Sequence, residues 1–260
     1  MYVFNPLIFT MGLVVGLVST VFGIGGGIVM IPALTALAGF PQLAAMATNT
    51  GAVFLVACWN SWRYHRAGLV VWPVVFRIAL GSAVCSFLGA TLAPHLPEKA
   101  LVAGLLVIII GLAWKTFFLP GEKLGRKIHR QKNYLPVLIG AVGGLIAGLT
   151  GIGGGAVIMP LILIAGLARN RQAAPTSIAV IIFTTGAGTI SYLLSGPLDF
   201  PHLGLIRLDY VSTIAVGAIL SSYFGRQINQ KLSLNFRKTA LAILLLLIAS
   251  RLIIQLLMTS

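Results

Sequence analysis

Residues Ala100 to Gly111 read ALVAGLLVIIIG, and Ala240 to Ala249 read ALAILLLLIA, with no polar side chain in either run. Segments apolar on every side must be surrounded by apolar material, because they offer water no face. Hydrophobic residues make up 58% of the 260 positions and charged residues 8%. That is far too little polar surface to coat a soluble domain of this length. The expectation is an all-α membrane protein whose helices cross a lipid bilayer.

The formal net charge of +14 raises nucleic-acid binding as an alternative. The positions of the charges argue against it, since Lys and Arg sit in short connections and no basic face carries interleaved aromatics. They fit the excess of basic residues on cytoplasmic loops instead. Cys58 and Cys85 both fall in apolar segments and read as small packing residues, not as a disulfide, metal or redox pair. The amino-terminal MYVFNPLIFT lacks the basic region of a cleaved signal peptide and is expected to belong to the first span.

The stretch FGIGGGIVMIP, Phe22 to Pro32, returns as TGIGGGAVIMP at Thr150 to Pro160. A shift of 128 carries Gly23, Gly25, Gly26, Gly27 and Pro32 onto Gly151, Gly153, Gly154, Gly155 and Pro160. The same shift carries Thr48 onto Thr176 and Asn49 onto Ser177; a later shift of 136 carries Gly81 onto Gly217 and Gly89 onto Gly225. The extra residues fit the loop SGPLDFPHLG. This is a duplicated unit: 1–120 is one transmembrane repeat, 121–133 a cytoplasmic linker and 134–260 the second repeat.

Each unit reads as five apolar segments, giving about ten helices. In the first unit they are Pro6–Val21, Ile28–Ala38, Leu43–Trp62, Trp72–Ala93 and Ala100–Phe118. In the second they are Leu135–Leu149, Ala156–Leu167, Ala173–Leu194, Tyr210–Ile228 and Thr239–Met258. With ten crossings and an outer N-terminus, four basic groups fall on one side. They are Arg63 and Arg66; the linker group Lys115 to Lys132; Arg169 and Arg171; and Arg226 to Lys238. An odd number of spans per unit inverts one half relative to the other, which is a transporter architecture.

The second segment of each half is too short to cross a bilayer. About 1.5 Å per residue takes Ile28–Ala38 only about halfway through a roughly 30 Å core. The glycine runs are therefore expected inside the membrane, in short broken helices lining a cavity. Consecutive glycines permit a sharp turn and close approach, and the helix that follows has free first N–H groups at its positive end. Gly25, Gly26, Gly27, Gly153, Gly154 and Gly155 are thus candidate anion ligands, as are the hydroxyls and amide of Thr48, Asn49, Thr50, Thr176 and Ser177. Tight helix packing is the competing account of small residues, and Gly140, Gly144 and Gly148 read that way. Threonine bonding back to its own helix competes for the hydroxyls. A nucleotide loop is rejected, because no strand precedes GIGGGA.

The paired GxGGGxxxxP motifs, each followed by Thr48-Asn49 or Thr176-Ser177, together with RYHRAG at Arg63–Gly68, resemble the sulfite exporter TauE/SafE family. The resemblance spans essentially the whole chain, although the second half has SYLLSGPLDF where the first has its basic stretch. It implies a secondary transporter of sulfite, sulfonates or related sulfur-containing anions in a bacterial inner (cytoplasmic) membrane, with export as the expected direction. An anion-selective channel is the alternative, and a homodimer is a possible assembly. The partners are then the small anion and the lipid bilayer.

No catalytic, metal or cofactor site is expected, since no nucleophile–base pair or metal cluster falls within the spans. The acidic residues and histidines lie in loops or at span ends, so passive or potential-driven anion movement is expected rather than a side-chain proton relay. Sodium held by unwound carbonyls is a second possible coupling. Arg77, Lys115 and Arg251 read as snorkelling residues, the last two matched under the repeat. Trp59, Trp62 and Trp72 read as interfacial.

Overall fold

The structure, a computed structural model, describes residues 5–22, 26–118, 134–196, 202–231, 243, 245–250, 252–254 and 256–257. It is an all-α membrane protein. Helices α1 (Pro6–Phe22), α2 (Gly27–Leu37), α3 (Gln42–Arg66), α4 (Trp72–Leu92) and α5 (Glu98–Phe118) come first. Helices α6 (Leu135–Thr150), α7 (Gly155–Ile164), α8 (Asn170–Leu194) and α9 (Leu208–Lys231) follow. A last helical stretch, α10, holds described residues 245–250, 252–254 and 256–257. A 3-10 turn, Ala93–His95, follows α4, and a hairpin pairs β1 (His202–Leu203) with β2 (Ile206–Arg207).

Helix length sorts these elements. The 25 residues of α3 and of α8 rise about 37 Å, more than a bilayer core, whereas the 11 of α2 and 10 of α7 rise only about 15 Å. Both short helices follow a glycine run. Among the described residues, three stretches, Gln42–Arg66, Trp72–His95 and Arg171–Leu194, are long and apolar enough to span by themselves. Large apolar side chains cover the outside: Leu80, Val107 and Leu194 are 68, 69 and 72% exposed, a surface suited to lipid tails and not to water.

The most extensive helix contacts are α4 on α6 and α1 on α9, and α8 packs on both α4 and α3. In lipid no hydrophobic effect drives helices together, so close backbone approach through small residues does. Gly140 of α6 faces the carbonyl of Ile78 in α4, and Gly12 of α1 faces the carbonyl of Ile214 in α9. Gly81 faces Val137, and Gly217 faces Phe9. Gly144 and Gly148 lie against the backbone of Ser82 and Ser86, so the packing reading holds for that helix. Hydroxyls tie the pairs inward. Ser86 donates to the Thr184 carbonyl at 2.8 Å, and the buried Tyr192 hydroxyl donates to the Gly148 carbonyl at 2.8 Å.

Apolar side chains form two clusters, one around α2 with Ile28, Met30, Ile31, Leu34 and Leu105, and one around α7 with Ile78, Ile158, Ile162 and Val180. Cys58 and Cys85 are free thiols.

Several expectations need correction. Arg63 and Arg66 are not beyond the third segment but in the last turn of α3, where cations suit the helix dipole. Arg171 lies inside α8, and Arg226 and Lys231 inside α9. The end of SGPLDFPHLG joins a hairpin, with Arg207 stacked on Tyr210 at 4.4 Å and paired with Asp209 at 2.7 Å. The hydrogen bonds it donates to Asp209 hold the Arg207 guanidinium above its ordinary pKa, against a partial desolvation. Gly23, Gly25, the linker 121–133, Asp199, Arg237, Lys238, Arg251 and the side chain of Lys115 lie outside the described residues.

Candidate functional site

The site begins at two uncapped helix starts. Gly26 is the N-cap of α2, and its carbonyl accepts the N–H groups of Val29 and Met30 at 3.2 and 2.9 Å. Gly154 is the N-cap of α7, and its carbonyl accepts those of Val157 and Ile158 at 3.0 and 2.9 Å. Neither cap offers a side-chain acceptor. The N–H groups ahead of these, on Gly27, Ile28, Gly155 and Ala156, have no acceptor within their own helix. Together with the helix dipole they form positive ends suited to an anion.

Glycine is required at the second turn. Gly151, Gly153 and Gly154 have φ of +69°, +90° and +78°, a left-handed path that reverses the chain between α6 and α7. The turn rests on the first half of the chain. The Asn49 amide donates to the Gly151 carbonyl at 2.7 Å, and a Cβ on Gly151 would meet the backbone of Met46. The two motifs touch: a Cβ on Gly27 would stand 2.7 Å from the Cα and the carbonyl oxygen of Ile152 and from the Asn49 amide nitrogen. Gly27 and the second glycine turn, separated by more than a hundred residues, thus meet.

Beside this meeting point is a cavity of about 70 Å³. About 10–15 Å³ on this scale holds one water, so it takes several water-sized groups or one small anion. Gly26 and Gly155 both line it, which brings the two helix starts onto one space. Its polar side chains are Ser19, Thr20, Asn49, Asn60 and Ser177, and its walls include Val15, Met30, Met159 and Ile181. None of the described lining residues is ionisable. Ser177 is 2% exposed and its hydroxyl oxygen has no hydrogen-bond partner. A buried, unpartnered hydroxyl at the wall of a cavity costs free energy unless something in the cavity bonds to it.

Not every expected ligand reaches this space. Gly26, Asn49, Gly155 and Ser177 line it. Gly27, Gly153 and Gly154 are not among its lining residues: Gly27 opens α2, and Gly153 and Gly154 form the turn between α6 and α7. Thr50 turns its hydroxyl back to the Met46 carbonyl at 2.8 Å, as threonine in a membrane helix often does. Thr48 and Thr176 are fully buried but accept backbone N–H groups, from Arg207 at 3.3 Å and from Val71 at 3.2 Å. Gly25 is outside the described residues.

A family profile described as the sulfite exporter TauE/SafE matches residues 8–252. The chain belongs to the TauE/SafE family. A probable membrane transporter protein of Methanocaldococcus jannaschii is 29% identical over 235 residues, covering 88% of this chain and 87% of that one. One of Haemophilus influenzae is 26% identical, covering 96% and 98%, and YunE of Bacillus subtilis, also a probable membrane transporter protein, is 24% identical, covering 96% and 97%. This TauE/SafE chain is accordingly a multi-pass membrane transporter, and the cavity is its candidate site.

Three polar side chains of the TauE/SafE cavity escaped the sequence reading. Ser19 and Thr20 stand one turn before the first glycine run, and Asn60 stands on the Asn49 face of α3. Asn60 carried a usable signal, an amide in a membrane helix eleven residues, or three turns, beyond another. Thr20 donates its hydroxyl to the Gly16 carbonyl at 2.7 Å, so it has no proton left to offer an anion in the cavity.

Proposed function

We propose that this TauE/SafE protein moves a small sulfur-containing anion, such as sulfite or a sulfonate, across the bacterial inner membrane, in the outward direction, by alternating access. One observation carries the reading: two uncapped helix starts, from the two glycine motifs, line a single cavity that also holds an unpartnered serine. Peptide N–H groups and neutral hydroxyls hold a monoanion without a fixed counter-charge, which keeps release fast. A membrane potential negative inside drives such an anion out with about 2.3 kcal/mol per 100 mV.

Alternation is supported by the way contacts repeat. The offsets of 128 and 136 exchange the α4–α6 contacts Ile78–Gly140 and Gly81–Val137 for the α1–α9 contacts Ile214–Gly12 and Gly217–Phe9. Halves 1–120 and 134–260, inverted about the linker 121–133, would share the site at their boundary.

The test is flux of labelled sulfite in vesicles holding the purified chain. Saturable flux that shows counterflow and follows an imposed potential supports the carrier. Flux that ignores the potential but follows a proton gradient defeats the drive, and linear flux without counterflow defeats alternating access.

A further inference from the structure

Thr48 and Thr176 are fully buried, line no part of the cavity, and each precedes a residue that does, Asn49 or Ser177. The Thr48 hydroxyl accepts the backbone N–H of Arg207, in the strand just ahead of α9. The Thr176 hydroxyl accepts the backbone N–H of Val71, the N-cap of α4. A shift of 128 takes Thr48 to Thr176, and a shift of 136 takes Val71 to Arg207. The same bond is therefore made twice. Each time it runs from the third helix of one half to the residue that leads into the fourth helix of the other.

The repetition is hard to explain by local stability alone. A backbone N–H just ahead of a helix has no acceptor in that helix, and a local Asx or Ser cap could have served. Here the acceptor comes from the opposite half. The charge bias puts Val71 on the side of Arg63 and Arg66 and puts Arg207 on the other, so one bond lies toward each face. The helices held in this way, α4 and α9, are also those seated along α6 and α1, so each would move as a two-helix unit.

We propose that Thr48 and Thr176 are positioning residues, two latches between the halves, whose alternate release opens the cavity toward one face at a time. The proposal rests on the reading of the chain as an alternating-access transporter. Both latches are fastened in the structure, which is therefore the closed state between the two open ones. Release at Thr48 frees α9 from α3 beside Asn49 and opens the outer face. Release at Thr176 detaches the start of α4 from α8 beside Ser177, leaves the Ser86–Thr184 bond farther along the two helices in place, and opens the inner face.

Thr48→Val and Thr176→Val keep shape and remove the acceptor; Thr48→Ser and Thr176→Ser keep it. Each is combined with Val53→Cys in the cavity wall and with Cys58 and Cys85 replaced by Ala. Oriented vesicles are treated with a membrane-impermeant thiol reagent from one side or the other, and sulfite flux is measured alongside. T48V should raise outer labelling about fivefold and T176V inner labelling about fivefold, the shift expected from losing one hydrogen bond in the closed state. The serine variants should behave as the parent. Shifts of equal size on both faces, or none, overturn the latches even when flux is saturable. Opposite, side-specific shifts in a chain that carries no sulfite leave the latches standing and overturn sulfite as the cargo.

Discussion

Ser177→Ala is expected to make the empty protein more stable and its anion binding weaker, two effects of opposite sign. The Ser177 hydroxyl is 2% exposed and unpartnered, so the empty protein bears a desolvation penalty there. An unsatisfied buried hydroxyl costs about 1–3 kcal/mol, and its removal should recover part of that. A bound anion satisfies it with a charge-assisted hydrogen bond of about 1.5–3 kcal/mol, so the variant should bind about ten- to a hundredfold more weakly. At a sulfite concentration one hundred times the parent Kd, binding stabilises the fold by about 2.7 kcal/mol; a tenfold weaker variant keeps about 1.4 kcal/mol. Thermal unfolding in detergent, with and without sulfite, reads both effects at once. A lower melting temperature for empty S177A would show that the hydroxyl already has a partner. An unchanged sulfite-dependent shift would show that the anion does not bind there. Either result refutes the site.

Three further outcomes follow from the contacts. Gly27→Ala places a Cβ 2.7 Å from the Ile152 backbone and the Asn49 amide, so an overpacking cost of about 1–3 kcal/mol should appear as earlier thermal unfolding, with sulfite flux reduced alongside. Asn49→Asp replaces the donor to the Gly151 carbonyl with an acceptor and puts negative charge at the cavity wall; sulfite flux should fall to background, with Asn49→Gln retaining part of it. Tyr192→Phe removes the hydroxyl that donates to the Gly148 carbonyl, costing about 1 kcal/mol in thermal unfolding with Kd for sulfite unchanged.

Spans were legible in the sequence because apolar runs leave little choice of surroundings. The segment expected at Ile28–Ala38 is α2, Gly27–Leu37, and that expected at Leu135–Leu149 is α6, Leu135–Thr150. The end of α7 was misjudged: Ile164 closes it, with Gly166 at φ +62°, although apolar residues run on to Leu167. Apolar character alone does not mark a helix end inside a protein interior. The hairpin at His202–Arg207 was invisible, since strands of two residues carry no periodicity.

Within the site, sequence reasoning found the glycine turn between α6 and α7 but could not rank the hydroxyls. Whether a threonine faces a cavity, its own carbonyl or a distant N–H depends on partners elsewhere in the chain. Thr50 chose Met46, four residues back, whereas Thr48 chose Arg207, beyond a hundred and fifty residues of chain. Asn49 and Ser177 were recognised through the internal duplication. Ser19 and Asn60 had no polar counterpart in the other half: the shift of 128 puts Ala147 and Gly188 in their places.

On the proposed reading, the wall of the cavity, so far as it is described, would draw negative charge through peptide groups, hydroxyls and side-chain amides, with no ionisable group. Such a receptor has no titration midpoint of its own. If the anion binds there, acidifying or alkalinising the cell should change what it holds only by changing the protonation of the cargo, which would make the ligand the reporter of pH and the protein a bystander to it.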